Sequence, residues 1–348
     1  MTRRFALAVL VFVATVFLPA APARAADQEF KAGVTRKAIT PSGPIWLSGY
    51  AARTHASEGV IHDLWAKALA LEDPDGRRVV IVTMDLIGLP REVSAEVAAR
   101  AKKQFGLERS QLLLCVSHTH SGPVVWPNLK TMYDLLTPAE RECLQQYARR
   151  LTGDLVSLVG AAIGDLAPAR LSAGHGSAGF AINRRPQKGP VDHDVPVLKI
   201  AALDGKLRAV LFGYACHNTT LGGDLYQVNG DYAGFAQIEL EKAMPGVTAL
   251  YTILCGADQN PSPRGKVELA AQHGKTLADE VRRVLAGPLT PVRPPIRTAY
   301  EDVKLAFAPQ PRSTFEEEAK SKDRFRRHRA DAMLAAIDAG HPIRDVLL

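Results

Sequence analysis

Two hairpin signals constrain the architecture of this chain more than any other feature. The apolar runs Trp65–Glu72 and Arg78–Asp85 flank Asp73-Pro74-Asp75-Gly76, and Val195–Ala202 and Leu207–Cys216 flank Asp204-Gly205. Turn residues between strand-length apolar runs predict antiparallel pairs. Strand–helix–strand units lie among them. Pro90 and Gly106 bracket a helix that ends near Phe105 and leads into the run Gln111–Val116, and a helix over Tyr232–Met244 leads into Val247–Leu254. This mixture argues against the regular alternation of a (β/α)₈ barrel and predicts an α/β domain: mixed β-sheets flanked by helices in a layered sandwich.

Other elements follow from local chemistry. Thr137-Pro138-Ala139-Glu140 has capping-box form and opens a long amphipathic helix towards Leu166. A further helix is expected over Lys266–Leu285, then a proline-rich linker over Pro288–Pro295 and a strand near Ile296–Phe307. The stretch from Arg312 to Ala339 mixes charges of both signs and predicts a solvated helix.

The first residues carry an address rather than a fold. Arg3-Arg4, the apolar run Phe5–Leu18 and Ala23-Arg24-Ala25 have the form of a secretory signal cut near Ala25. The run falls short of the roughly 20 residues a spanning helix needs. The expected organisation is therefore a signal over residues 1–25, a main domain over 26–311 and a charged helical segment over 312–348, in a secreted or periplasmic protein. Of 348 residues, 47% are hydrophobic, enough for a sizeable core. Loss of Arg3, Arg4 and Arg24 with the signal lowers the net charge from +7 to +4, too small an excess to suggest a nucleic-acid partner. Four cysteines are present and no Cys-x-x-Cys, so a cysteine zinc site is disfavoured. Cys115, Cys216 and Cys255 each end an apolar run, as free buried thiols do; Cys143 does not.

Polar residues empty from three of these strands. Gln111–Val116 runs straight into Ser117-His118-Thr119-His120-Ser121-Gly122-Pro123, Leu207–Cys216 into His217-Asn218-Thr219, and Val247–Leu254 into Cys255-Gly256-Ala257-Asp258-Gln259-Asn260-Pro261. Imidazoles delivered to a sheet edge suit metal ligation or acid–base work. In an unbroken strand His118 and His120 would share a side; a turn after Ser117 would separate their roles. Asp85 and Asp231 are candidates to orient ligand rings, or else an ordinary strand-end Asp and helix cap.

Taken in order, Ala32-Gly33-Val34-Thr35, Ile39-Thr40-Pro41, Thr83-Met84-Asp85, Ser117–Pro123, Asn183-Arg184-Arg185-Pro186, Cys216-His217-Asn218-Thr219, Gly230-Asp231-Tyr232-Ala233-Gly234 and Gly256–Pro261 resemble the catalytic domain of neutral/alkaline non-lysosomal ceramidases. The resemblance runs from Ala32 to Arg264. It implies an exported zinc amidase that cleaves the N-acyl bond of a ceramide-like lipid, with transient contact at a membrane surface. It also implies zinc on His118 and His217, with His120 and Arg184 lining the site near the scissile group.

Two departures bear on the chemistry. The family's Gly-Asp-Val-Ser-Pro-Asn carries a nucleophilic Ser; here Asn260 takes its place without a gap, and Ser262 reaches it only through a two-residue insertion. Asparagine cannot attack an amide but can donate to an oxyanion, which would leave the attack to metal-activated water, with Asp258 beside it in the catalytic set. The family completes its zinc shell with a downstream Glu and Tyr that have no match in this chain. An amidase, an esterase of the same fold and a non-catalytic ligand-binding relative are the three readings.

Overall fold

A computed structural model describes residues 29–185, 189–341 and 346–347. The expected signal at 1–25 lies outside the described residues.

The main sheet has nine strands, counted among the described residues. Eight follow one another across it: β9 (Thr248–Ile253), β8 (Leu207–Tyr214), β7 (Asp194–Ala202), β5 (Ala167–Ser177), β1 (Phe30–Ala38), β2 (Trp65–Glu72), β3 (Arg78–Met84) and β4 (Leu112–Val116), and Thr290–Pro291 joins β5. Both expected hairpins form, β2 with β3 and β7 with β8. The inner pairs are antiparallel. The two outermost, β3 with β4 and β8 with β9, are parallel, each closed by a helix crossover. The crossover helices are α1 (Arg91–Phe105) and α3 (Asp231–Ala243). A short strand pair, β6 (Ala181–Asn183) with β10 (Gln259–Pro261), lies outside the main sheet.

Side-chain alternation explains the layering. On β2, Ala66, Ala68 and Ala70 face the cluster under α1 and α2 (Pro138–Gly164), and Leu69 and Leu71 face the opposite way. On β8, Val210, Phe212 and Tyr214 pack under α3 and α4 (Val267–Ala286), and Ala209 turns inward to meet Leu69, Leu71, Leu171 and Leu250. The sheet therefore doubles back on itself. Its two halves share an apolar interior and each is roofed by a helix pair, the expected layered sandwich. This folding also brings β9, at one end of the strand order, onto β3 and β4 at the other.

Thr137 caps α2 as its spacing predicts, with its hydroxyl accepting from Glu140 N–H and the Glu140 carboxylate accepting from Thr137 N–H at 2.9 Å. The strand expected near Ile296–Phe307 does not form. Only Leu305–Ala306 is extended in a ladder, and Tyr300, Val303, Leu305 and Phe307 are exposed with no core to cover them. The charged C-terminal stretch is helical but broken in two, α5 (Arg312–Glu318) and α6 (Arg324–Asp338). All four cysteines are free, yet only Cys216 is fully buried. Cys255 is exposed, because its strand has ended at Ile253. Among the described residues no helix is long and apolar enough to cross a membrane.

Candidate metal and hydrolytic site

Strand β4 stops at Val116, and the backbone then turns sharply. Ser117 N–H donates to Met84 C=O and His118 N–H to Leu86 C=O, which ties the loop to the end of parallel neighbour β3. His118 sits at φ +62°, a region that costs a non-glycine residue strain and recurs at functional sites. The pair is therefore not presented by an unbroken strand. A single parallel bridge between Thr119 and Asn218 then joins this loop to the one leaving β8.

Three imidazoles meet as a result. A ligating atom from each of His118, His120 and His217 lies within 4.8 Å of the others, a set that can hold a metal ion. His118 Nε2 is 3.2 Å from His217 Nε2 and 3.3 Å from His120 Nε2. Nδ1 of His118 faces Ile87 C=O at 2.7 Å, and Nδ1 of His217 faces Gly256 C=O at 2.9 Å. A carbonyl only accepts, so both Nδ1 atoms carry the proton and both Nε2 atoms carry lone pairs. Two lone pairs aimed at each other over 3.2 Å repel unless a cation lies between them. The donor set thus fits a nitrogen-bound metal ion, with the His118 and His217 rings each steered by a backbone carbonyl.

Those carbonyls stand where the sequence offers Asp85 and Asp231 as candidates, and the two carboxylates take the ordinary structural alternative. Asp85 accepts from Trp65 N–H and the Gln237 side chain, and Asp231 accepts from the N–H groups of Thr220, Leu221 and Tyr232. Neither orients a ligand ring. Both are buried braces, and burial pushes both carboxyls above their ordinary range.

His120 is held differently. Its Nδ1 is buried without a hydrogen-bond partner. Gly49, at φ +94°, lies against the ring so closely that a Cβ there would fall 2.3 Å from Nδ1. Below the ring, the wholly buried Arg53 donates to His120 C=O and Ser48 C=O, both at 2.8 Å, and Tyr50 lies 5.1 Å from the ring between centroids. Burial, then the charges of His118, His217 and Arg53, depress the proton affinity of His120 to a pKa of about 3. Burial lowers those of His118 and His217 too; Arg184 adds to the effect on both, and Arg264 to that on His217.

The remaining predicted residues arrive through the β6–β10 ladder. His217 N–H donates to Gln259 C=O at 2.8 Å, Arg184 N–H to Asp258 C=O at 2.7 Å, and Asn260 stands opposite Ile182. Asp258 Oδ2 accepts from Asn183 Nδ2 at 3.0 Å, and Asn260 Oδ1 accepts from Thr219 Oγ1 at 3.5 Å. Ser262 lies past the ladder, its N–H donating to Phe180 C=O. Arg184, Asp258 and Asn260 thus share one wall with His217. Sequence reasoning missed Gly49, Tyr50, Arg53 and Arg264. Glycine beside an aromatic residue is common in loops, and lone arginines carry no local pattern. A cleft of about 260 Å³ begins at Tyr50 and Arg53 and runs between Trp46, Met132, Tyr133 and Phe325.

Residues 30–260 match the model of the family described as neutral/alkaline non-lysosomal ceramidase, N-terminal. The chain is 25% identical over 254 residues to a neutral ceramidase of Pseudomonas aeruginosa, covering 68% of this chain and 37% of that protein. It is 25% identical over 274 residues to a neutral ceramidase of Drosophila melanogaster, covering 72% and 38%. The crystal structure of the Pseudomonas aeruginosa protein superposes with a TM-score of 0.68 at 21% identity over 77% of this chain and 46% of that one. The chain thus spans between a third and a half of the length of these relatives.

Proposed function

Because the chain belongs to the neutral/alkaline non-lysosomal ceramidase family, we propose that its imidazole cluster hydrolyses the N-acyl amide bond of a ceramide-like lipid or a related amide. The observation that carries this reading is the pair of facing lone pairs on His118 and His217. Those two residues would hold zinc. Zinc bound there would lower the pKa of a water towards about 7 and polarise the amide carbonyl.

The chain's own residues supply the rest. His120 is too weak a base at pKa about 3 to take a proton near neutral pH, and a neutral ring keeps one N–H to donate to the oxygen that becomes negative. Arg184 brings a guanidinium to the same wall, suited to that developing charge. Asn260 accepts from Thr219 through its oxygen, which leaves its NH₂ to donate, and in the alignment without a gap it takes the place of the family's nucleophilic Ser. Attack therefore falls to water: oxygen bonds to the carbonyl carbon and the C–N bond breaks. Asp258 passes the water's proton to the departing amine, leaving a carboxylic acid and an amine. The leader at residues 1–25 would place this reaction outside the cytoplasm, where lipid at a membrane surface is the substrate source.

The test is metal content and turnover of the purified chain with a fluorescent short-chain ceramide. One zinc per chain and chelator-sensitive hydrolysis are expected. A metal-free protein, or one whose hydrolysis is unchanged in His118→Ala and His217→Ala, would sink the reading.

A further inference from the structure

The charged groups that act on the three imidazoles share one sign. Arg53 lies beneath His120, Arg184 acts on His118 and His217, and Arg264 acts on His217. Among the described residues neither Arg184 nor Arg264 has a carboxylate partner within salt-bridge distance. Asp231 accepts from three backbone N–H groups, and Asp258 accepts from Asn183 through Oδ2 and keeps Oδ1 for the proton transfer proposed above.

Arg264 is fixed at its base. Ser262 N–H donates to Phe180 C=O at 2.8 Å, Pro263 C=O faces His273 Nε2 at 2.7 Å, and Gly265 N–H donates to Thr220 C=O at 2.7 Å. Backbone bonds flank residue 264 on both sides, and its side chain reaches Tyr50, whose hydroxyl lies 3.4 Å from Arg264 Nη2. Tyr50 gives its own proton to Leu221 C=O at 2.7 Å, so it can only accept from the guanidinium. Since the Tyr50 ring also stands beside His120, Arg264 is set at the rim of the cluster with donors to spare.

We infer that Arg264 is a specificity residue that selects substrates bearing an anionic group, a carboxylate, on the amine side of the scissile amide. N-acyl amino acids have this chemistry. The inference rests on the proposed amide hydrolysis and narrows its substrate class away from a neutral ceramide. A guanidinium without a counterion at the rim of a cationic site gains most from a ligand that neutralises it, and a planar carboxylate matches its paired N–H groups.

The test uses two probes that differ in charge, N-dodecanoylglycine and N-dodecanoylethanolamine, titrated calorimetrically into the full zinc-loaded chain and assayed in parallel for hydrolysis. The glycine conjugate should bind tighter by about tenfold, the usual scale of one charge-assisted hydrogen bond. Arg264→Gln should erase that difference, and Arg264→Lys should keep part of it. The side chain is exposed, so both variants should melt like the parent. Equal affinities, or a carboxylate preference that survives Arg264→Gln because the anion sits on the metal, overturns the inference. Hydrolysis of both probes with no charge preference leaves the amidase reading standing alone; a charge preference without hydrolysis of either leaves only the anion site.

Discussion

Thr119 and Asn218 pair in one parallel bridge, and that bridge holds His118 beside His217 although 99 residues separate them in the chain. Both bridging side chains are buried and fully used. Thr119 donates to Asn229 C=O at 3.0 Å, and Asn218 donates to Gly230 C=O at 2.9 Å while accepting from Ala233 N–H at 3.2 Å. Asn218→Ala should therefore destabilise the chain by about 2–4 kcal/mol, since it strands a buried carbonyl and a buried N–H. Urea unfolding measures the loss. A change within error would show that the bridge is incidental.

The three imidazoles should separate by role. His118→Ala and His217→Ala are expected to abolish stoichiometric zinc. His120→Ala should retain the metal and lose turnover by about a hundredfold, the scale of one oxyanion donor. Elemental analysis and kinetics on the same preparations check this. Loss of zinc from His120→Ala would make that ring a ligand instead.

Gly49→Ala tests the packing of the His120 ring. The backbone at φ +94° costs a side chain about 1–2 kcal/mol, and the new methyl would press on the ring at 2.3 Å. We expect a lower melting temperature, retained zinc and a fall in kcat larger than the change in KM. Unaltered kcat would show that the ring needs no such fit.

Metal-free protein should lose stability as pH falls below about 6.5. The folded pKa of His120 is depressed to about 3, so from the unfolded value of 6.5 down to there the unfolded chain binds the extra proton and unfolding is favoured. The slope attributable to this one ring is at most about 1.4 kcal/mol per pH unit. Comparing urea midpoints of the parent and His120→Gln at pH 7 and pH 5 isolates it. A parent that loses no more than the variant contradicts the assignment.

Much of this was legible where the chemistry is local. Turn residues at Asp73–Gly76 and Asp204-Gly205 gave away the hairpins, and Thr137 with Glu140 gave away the start of α2, because each signal lies within a few residues of what it specifies. Strand β5 was not visible: Pro168, Gly174 and Gly176 weaken its intrinsic preference, and it is extended because β1 and β7 bond to it on either side. The stretch Ile296–Phe307 shows the converse, a strand-like composition that among the described residues pairs only at Leu305–Ala306. At the site, motif and resemblance pointed to His118, His120 and His217, which the fold brings together, and to Arg184. The carbonyls of Ile87 and Gly256 had no signal, since any residue supplies one, and Arg264 depends on three backbone bonds that only the fold reveals.

The doubling of the sheet has a consequence for how the site is lost. Because His118 leaves a strand at one end of the order and His217 one near the other, zinc would act as a clasp across the seam where β9 meets β3 and β4. Prying that seam open by even a local fluctuation would part the ligands before any strand melts. Zinc release under mild denaturant should then precede loss of secondary structure, and the metal would report on closure of the sandwich rather than on its presence.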